Sequence, residues 1–580
     1  MSKKTQSERC ATEPAFSHGD WHHWHEIDWL VVHRTVRGLQ VRIAKAAKEG
    51  NWRKVKSLQR LLTRSFAARA LAVRRVTENR GRKTPGIDNE TWPTPEDKWN
   101  AIFRLQRRGY RPKPLRRIHI PKANGKGRPL GIPTMRDRAM QALYLLALEP
   151  VSETTGDPNS YGFRPYRAAQ DAMRKVHGLL NRRTSPQWVL EGDIKGCFDH
   201  ISHEWLLEHI PMDREVLRKW LKAGYMERNR FHDTHAGTPQ GGIISPVLAN
   251  IALDGLEAEL IRHFGALKTA LRAKNKVSLV RYADDFVITG TSKELLEKEV
   301  KPVVEAFLAK RGLILSPEKT FVTHIETGFD FLGWNFRRYW RQGQQKVLVK
   351  PSKTNIKTFL TKVRKIIKSR PGATQASLIG HLNPVIRGWC HYHKAVVAKE
   401  TFSYVDWQIW KALWQWAKRR HNRKGRRWIA QRYWRTTKMR NWVFAADLPE
   451  RDENGNAQRV ELMIAARVKI ERHKKIKSEA NPYDPEWEPY FEARWHERMR
   501  RSLKGRLTEL RLWERQEGYC PVCRDRLDWG RKWEIHHRVP RTEGGTDALS
   551  NLALLHPNCH RQVHSRNPTV KLLVSTGVEA

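Results

Sequence analysis

Acidic residues are scarce in this 580-residue chain: 60 Asp and Glu stand against 109 Lys and Arg, a formal net charge of +49. Self-repulsion of that size opposes compaction. A polyanion that neutralises it is the expected partner, a large nucleic acid before any other. An acidic lipid surface fits less well, because the positive charge runs along the whole chain and not along one amphipathic face. Charge alone leaves a ribosomal-type structural RNA binder open. Cysteine is scarce too. Cys10, Cys197, Cys390, Cys520, Cys523 and Cys559 are too few in this length for a disulfide scaffold. Three of the six fall after residue 519, which points to a local metal site. No apolar run approaches the ~18 residues that span a membrane; the longest candidate, Ala139–Leu148, is short and follows charged residues. An apolar signal core is missing, and Asp20, Glu26 and Asp28 disfavour a transit peptide. A reducing, intracellular location with no membrane partner is expected. Aromatics are not lacking: 24 Trp and 13 Tyr exclude a merely disordered polycation. At about 150 residues per domain, the length allows roughly three to five domains.

Residues 1–20 read as a loose leader and no internal repeat is visible. From Glu26 to Thr77 the apolar period is helical, with Val36, Leu39, Ile43 and Ala47 on one face and Trp52, Val55, Leu58, Leu62 and Phe66 on another. The turn-rich stretch Lys83–Asp88 ends this unit. Strands and helices then alternate. Ile118–Pro121 and Trp188–Ile194 read as strands, and Leu279–Thr289 as two strands with Asp284-Asp285 at their turn. Ser292 caps a helix that Gly312 closes, although Pro302 interrupts it. After residue 352 the period is helical again (Ile356, Leu360, Val363, Ile367, then Trp407, Trp410, Trp414). Lys418–Arg427 holds seven basic residues in ten. Tryptophans beside such a run favour a nucleic-acid face over a solvated helix end. Residues 450–510, charged and carrying Pro482, Pro485 and Pro489, read as a connector.

The chemistry begins with Asp193 and the pair Asp284-Asp285. An adjacent Asp pair is usually an exposed turn, but this one is flanked by strongly apolar strands, so the turn sits on a packed sheet. Two carboxylates forced together repel, and burial makes ionising them costlier. A divalent cation removes both penalties, and a third carboxylate from a neighbouring strand would complete an oxygen site for Mg²⁺. Two such ions about 4 Å apart activate a 3′-hydroxyl and stabilise a leaving pyrophosphate, which is what nucleotidyl transfer requires.

Tyr282-Ala-Asp-Asp285 resembles the signature box of reverse transcriptases. Its neighbours stand in the matching order: Ile120-Pro-Lys-Ala-Asn-Gly-Lys-Gly-Arg-Pro-Leu-Gly-Ile-Pro-Thr134, Tyr161-Gly-Phe-Arg-Pro165, Asp193-Ile-Lys-Gly-Cys-Phe-Asp199, Thr238-Pro-Gln-Gly-Gly-Ile-Ile-Ser-Pro246, Leu315-Ser-Pro-Glu-Lys-Thr320 and Phe331-Leu-Gly-Trp334. Together they resemble the reverse transcriptases encoded by bacterial group II introns. The resemblance extends to Leu378-Ile-Gly-His-Leu-Asn-Pro-Val-Ile-Arg-Gly-Trp389, similar to the thumb and maturase box of that family. It implies that Asp193, Asp284 and Asp285 bind two Mg²⁺ ions. It implies that Lys122 and Arg128 hold the incoming dNTP triphosphate, that Phe198 is the aromatic gate excluding a ribose 2′-hydroxyl, and that Gln240 lies beside the nucleotide pocket. It also implies that the basic helical region binds intron RNA and helps it reach its splicing-active fold.

Cys520-Pro-Val-Cys523 alone signals zinc or redox chemistry. Five histidines and a further cysteine follow, more than one four-ligand ribbon needs. His560 and His564 share a helix face at their spacing. Glu534-Ile-His-His537, Gly544-Gly545, Asn551-Leu and Cys559-His-Arg-Gln-Val-His564 resemble an HNH endonuclease. The resemblance implies a structural Zn²⁺ on Cys520, Cys523 and Cys559. His556 stands fourth, where that family usually has cysteine. It further implies a catalytic divalent ion, Mg²⁺ by expectation, on His536, His560 and His564, with His537 as general base and Asn551 orienting that base or its loop. The roles of His536 and His537 could be exchanged. A zinc-stapled DNA-binding module without cleavage is the plainer alternative.

The expected fold is thus multidomain α+β. It comprises a helical extension of the fingers (1–90), a right-hand-like polymerase with an antiparallel palm sheet (91–345), an α-helical thumb and maturase region (346–450), a basic connector or DNA-binding region (451–510), and a small zinc-stapled ββα nuclease (511–570). The family implies a multifunctional protein in the bacterial cytoplasm whose partners are group II intron RNA, target double-stranded DNA and dNTPs. The nuclease nicks one DNA strand, and the nick's 3′-hydroxyl primes synthesis on the intron template. The rival is an RNA-binding splicing cofactor without active polymerase or nuclease. A second rival, a defence-system reverse transcriptase, should lack the maturase-like and HNH regions.

Overall fold

The structure is a computed structural model that describes residues 21–121, 127–238, 240–266, 268–341, 343–437, 440–451, 457–503, 505–528 and 532–565. Residues 1–20, read above as a loose leader and including Cys10, and Lys122, expected at the triphosphate, lie outside the described residues. In chain order the strands are β1 (Leu115–Pro121), β2 (Gly127–Ile132), β3 (Trp188–Asp193), β4 (Tyr225–Glu227), β5 (Arg230–His232), β6 (Ser278–Tyr282), β7 (Asp285–Gly290), β8 (Phe321–His324), β9 (Phe329–Phe331), β10 (Trp334–Arg341), β11 (Gln344–Pro351), β12 (Trp434–Thr437), β13 (Arg440–Arg451), β14 (Ala457–Glu461), β15 (Glu534–His537) and β16 (Leu552–Leu555). The helices that matter below are α1 (Trp29–Lys48), α2 (Trp52–Arg64), α3 (Phe66–Glu78), α4 (Met135–Thr155), α5 (Lys353–Lys368), α6 (Gln375–His393), α7 (Lys399–Arg420), α8 (Glu488–Leu503), α9 (Leu507–Arg515) and α10 (Pro557–His564). They fall into two compact units. The first gathers stretches of 21–156, 198–252 and 480–565, the second those of 157–197 and 253–479.

In the first unit, α1, α2 and α3 each start on a side-chain cap. Asp28 accepts from the Leu30 and Val31 amides, Asn51 from Lys54 and Ser65 from Ala68. The predicted stripe Val36, Leu39 and Ile43 is buried, and α1 and α3 pack on α4. Gln40 and Gln59 donate to the Leu146 and Ala147 carbonyls on α4 at 2.9 and 3.1 Å, which satisfies amides that would otherwise be stranded in an apolar interface. A four-stranded sheet runs β2-β1-β4-β5, with β1 and β2 an antiparallel hairpin.

The segment read as a connector carries the chain from one unit to the other at Glu479–Ala480, and part of it is a packed helix. Residues 488–503 form α8, whose Phe491, Trp495, Met499 and Leu503 are buried. The prolines do not break it, because Pro485 opens a short 3₁₀ turn and Pro489 falls in the first turn of the helix, where a missing N–H costs nothing. Trp495 packs edge-on against Trp513 of α9, ring centroids 5.3 Å apart. The small β15-β16 hairpin and α10 follow.

In the second unit an antiparallel sheet has the order β6-β7-β3-β8. Strands β3, β6 and β7 hold buried apolar pairs in their middles (Val189, Leu190, Leu279, Val280, Val287, Ile288), whereas the edge strand β8 is more open. Ser292 caps as expected, its Oγ accepting from the Leu295 amide at 3.1 Å. Pro302 is accommodated by one π-helical stretch, Leu295–Val300, after which the α-helix restarts at Lys301 with the proline in its first turn. A second sheet, β11-β10-β9, leads into α5, α6 and α7.

Candidate active sites and metal centres

The ladder register sets Asp193, at the end of β3, directly opposite Asp285, the first residue of β7. Tyr282 closes β6, and Ala283 turns the chain with φ of 58°. The left-handed conformation is paid for by neighbouring structure: the guanidinium of the buried Arg281 donates to the Ala283 carbonyl at 3.3 Å and pairs with Asp254. Gly162, in the Tyr161–Pro165 box, lies against the same turn. A Cβ there would stand 2.3 Å from the Ala283 amide nitrogen. Backbone bonds between Tyr161 and Arg281 and between Arg281 and Asn159, at 2.9 and 3.0 Å, hold the two segments together. That box is therefore a support for the Asp-Asp turn. The Leu315–Thr320 box supports the other carboxylate: the Ser316 amide donates to the Asp193 carbonyl at 2.8 Å, and Lys319 Nζ donates to Asp193 Oδ2 at 2.9 Å. Lys319 stands inside that box, but nothing in the sequence names its partner.

Burial, with Asp284 and Asp193 close by, pushes the Asp285 carboxyl up to about 6. The hydrogen bond to Asp193 holds the Lys319 ammonium above its ordinary value. Clustered carboxylates of this kind, which repel one another, are oxygen donors suited to a hard divalent cation.

The residues expected at the nucleotide pocket lie on the first unit. Arg128, on β2, donates from Nε to Gln240 Oε1 at 3.0 Å, and Gln240 Nε2 donates to Asp199 Oδ2, also at 3.0 Å. Gln240 is further tied to β2 by the Gly131 amide, which donates to its carbonyl at 2.7 Å. Phe198 is half-buried, and its carbonyl accepts from the Thr238 amide at 2.6 Å. Asp199 is the residue that sequence reasoning passes over: it closes the Arg128–Gln240–Asp199 chain.

Near the C-terminus two clusters form, with the ligand atoms of each within 4.8 Å of one another: Cys520, Cys523, His556 and Cys559, all buried, and His536, His560 and His564. In the first, His556 Nε2 faces the Arg526 carbonyl at 3.2 Å, which turns Nδ1 toward Cys523 Sγ, 3.4 Å away. Burial alone would raise the Cys520 thiol, but hydrogen bonds from Cys523 and Cys559 outweigh it and hold Cys520 well below the usual thiol range. Three thiols and one correctly turned imidazole in a dry pocket are the donor set of tetrahedral zinc, so His556 fits the fourth place. In the second cluster, burial followed by the neighbouring His560 and His564 pushes His536 down to about 4, leaving its ring neutral and able to ligate. His560 Nδ1 lies 2.6 Å from Glu534 Oε2, which turns Nε2 toward His564 Nε2 at 3.1 Å.

His537 stays out of that cluster. The alternation of β15 sends it to the other face, where Nε2 meets Asp547 Oδ1 at 2.7 Å, and Arg541 pairs with the same carboxylate. Asn551 stitches the loop between β15 and β16. Its Oδ1 accepts from the Val539 amide at 2.8 Å, and its Nδ2 donates to the Val539 and Thr546 carbonyls at 3.0 and 2.8 Å. Glu534 opens the Glu534–His537 box without a role assigned to it there, and Asp547, in the loop after β15, lies outside any box.

Between α5 and α7 a cavity of about 420 Å³ is lined by Arg364, Lys368, Lys411, Arg419 and Arg420 around Trp416. On α7, Trp407 is 52% exposed with Lys411 Nζ 3.4 Å above its ring. No helix among the described residues is long and apolar enough to cross a membrane.

Comparison with known proteins matches residues 24–105 to an N-terminal domain of reverse transcriptase and 120–336 to a reverse transcriptase (RNA-dependent DNA polymerase). It matches 356–434 to a group II intron, maturase-specific domain and 520–566 to an HNH endonuclease. Among curated relatives, Protein YkfC of Escherichia coli is 34% identical over 334 residues, 51% of this chain and 87% of its own. Group II intron-encoded protein LtrA of Lactococcus lactis is 30% identical over 409 residues, 56% of this chain and 68% of its own. An uncharacterized 91 kDa protein in the cob intron of Schizosaccharomyces pombe is 31% identical over 362 residues, 50% of this chain and 44% of its own. Polymerase, maturase and nuclease regions thus follow one another in a single chain, and it belongs to the group II intron-encoded proteins: an RNA-directed DNA polymerase and maturase with an HNH endonuclease domain.

Proposed function

We propose that the two enzymatic activities work in series on one DNA site, with intron RNA as template. The nuclease cuts a DNA strand, and the polymerase extends the 3′-hydroxyl so released. The product of the first reaction is the primer of the second, a physical reason for one chain to carry both. Asp193, Asp284 and Asp285 would hold two Mg²⁺ ions of the polymerase; His536, His560 and His564 would hold the divalent ion of the nuclease. Such ions, when bound, supply Lewis-acid stabilisation of the reacting phosphates.

The chain's own residues do the rest. Lys319 positions Asp193. Arg128 and Lys122 offer cations to the triphosphate of a dNTP, Arg128 presented by Gln240, and the Phe198 ring leaves no room for a 2′-hydroxyl. His537, held through Nε2 by Asp547, presents its remaining ring nitrogen to take a proton from the attacking water. Asn551 fixes the loop beside it. The cations of the cavity between α5 and α7 and the exposed Trp407 suit phosphates and unpaired bases of intron RNA. The hand-like arrangement of fingers, palm and thumb, and the domain limits set out above, belong to the same reading.

The observation that supports the polymerase assignment best is the register that places Asp193 opposite Asp285. Primer extension on an RNA template tests it. Wild-type protein should make cDNA from dNTPs. Losing even an outer partner of a metal ligand costs about 10- to 100-fold, so Asp284→Ala, which removes a ligand itself, should bring synthesis to background. A splicing cofactor without polymerase would give no cDNA in either protein. Undiminished synthesis by Asp284→Ala would remove these carboxylates from the reaction.

A further inference from the structure

The zinc-type cluster of the nuclease is not enclosed by its own domain alone. Arg74, on α3, is buried to 4% exposure, and its Nη2 lies 3.8 Å from Cys559 Sγ. Its Nε pairs with Glu78 at 3.2 Å, and its guanidinium carbon sits 4.7 Å from the centroid of the Trp29 ring. Nη1 finds no hydrogen-bond partner among the described residues. The surrounding contacts are equally specific. Trp24 Nε1 donates to Asn558 Oδ1 at 2.9 Å, and both side chains are buried. Gln562 Nε2, from the same short helix as Cys559, donates to the His25 and Ile27 carbonyls at 2.7 and 3.0 Å. His33 lies 3.6 Å from Asp525. Trp24, Ile27 and Trp29 form the dry floor beneath.

We propose that this face of the N-terminal helices is a docking surface for the nuclease domain, and that Arg74 recognises the metal-loaded cluster. Three thiolates and a neutral imidazole around Zn²⁺ carry a net charge of −1. A buried guanidinium beside that anion is compensated, and its N–H···S bond in turn draws charge off the thiolate and stabilises the loaded centre. Without metal nothing ties Cys559 to the other three ligands, so the sulfur that Arg74 meets is no longer fixed in place. Metal loading and docking therefore support one another, and by linkage each strengthens the other equally. The nuclease, on this account, is fastened to the reverse transcriptase's N-terminal region by the same zinc that staples it.

This rests on the cluster being a zinc site, so the first measurement is the metal content of the purified full-length protein; absence of zinc overturns that reading and the proposal with it. Given zinc, its affinity is measured by competition with a chromogenic chelator in wild type, Arg74→Met and Arg74→Lys. The expected result is a loss of about 10- to 100-fold for Arg74→Met, with Arg74→Lys between the two. Equal affinities in folded Arg74→Met and wild type would overturn the proposal. Hydrogen exchange on the wild type covers the case in which Arg74→Met fails to fold. Stripping zinc should speed exchange of backbone amides from Trp24 to Val32 as well as those of the nuclease. Unchanged protection of 24–32 after zinc removal would show that the two regions are not coupled through the metal. Trp24→Phe, which keeps the ring but loses the bond to Asn558, should reproduce part of the faster exchange with zinc still bound.

Discussion

Asn355 carries a junction on one side chain. Its Oδ1 accepts from Trp389 Nε1 at 2.8 Å and faces His393 Nε2 at 3.0 Å. Nearby Trp334 stacks on Tyr392 with centroids 4.5 Å apart. Burial pushes the His393 imidazole down to about 3, against 6.5 in an unfolded chain. The unfolded state therefore takes up a proton that the folded state refuses. The stability that this residue contributes is whole above pH 6.5 and is lost as pH falls toward 3. The loss runs at about 1.4 kcal/mol per pH unit, about 2 kcal/mol by pH 5. Urea unfolding at pH 7 and pH 5 should show that difference, and His393→Gln should shrink it; an unchanged pH response would place the titration elsewhere. Gly162 sets a tighter demand. The 2.3 Å approach to the Ala283 nitrogen is to backbone, which cannot swing aside, so a methyl group must displace the turn that bears Asp284. A displacement near 1 Å costs about 100-fold in rate. Gly162→Ala should lower primer extension by about that factor, while the circular dichroism of the protein stays near wild type.

At the scale of elements, the helices α5 and α7 present five cations to one cavity. A phosphate contact made by a lysine changes the slope of log affinity against log salt by about one. Lys368→Gln with Lys411→Gln should flatten the slope for intron RNA by about two and weaken different RNA sequences alike. Loss confined to one sequence would mean base readout there instead. The same elements show what a sequence exposes and what it hides. Strands β3, β6 and β7 are plain from apolar stretches beside acidic residues, and α1 to α3 from their apolar period. Helix α8 was obscured because proline and charge dominate the composition of its segment. Its signal was nevertheless present, as Phe491, Trp495, Met499 and Leu503 recur at every fourth position. Of the sites, the aspartates and the Cys/His sets stand out because metal chemistry restricts the residue types that can serve. Lys319, Asp199 and Glu534 sit inside the quoted boxes with no role of their own, and Asp547 and Arg74 lie outside any box. Each acts by touching a residue on another segment, and an ordinary charged side chain carries no mark of that.

For the whole molecule, the separate placement of the two chemistries has a consequence that one mutant pair can test. The carboxylates Asp193, Asp284 and Asp285 belong to the second unit, whereas the β15-β16 hairpin and α10, with His536, His537, His560 and His564, belong to the first. Neither set shares a residue with the other, so each should be removable alone. His537→Ala takes away the imidazole proposed to activate water but leaves the three-histidine cluster intact. General-base loss costs about 10²- to 10⁴-fold. Strand cleavage of a DNA target should therefore fall by that range, while extension of a pre-formed nick on RNA template stays at the wild-type rate. Asp284→Ala should do the reverse, cutting DNA and leaving the nick unextended. Mixing the two mutant proteins then separates reaction in series on one bound complex from two independent enzymes. If each protein keeps its own nick, cDNA joined to target DNA should stay low in the mixture. Full recovery would mean that the nicked end is released and recaptured, and that the two activities need not share a chain.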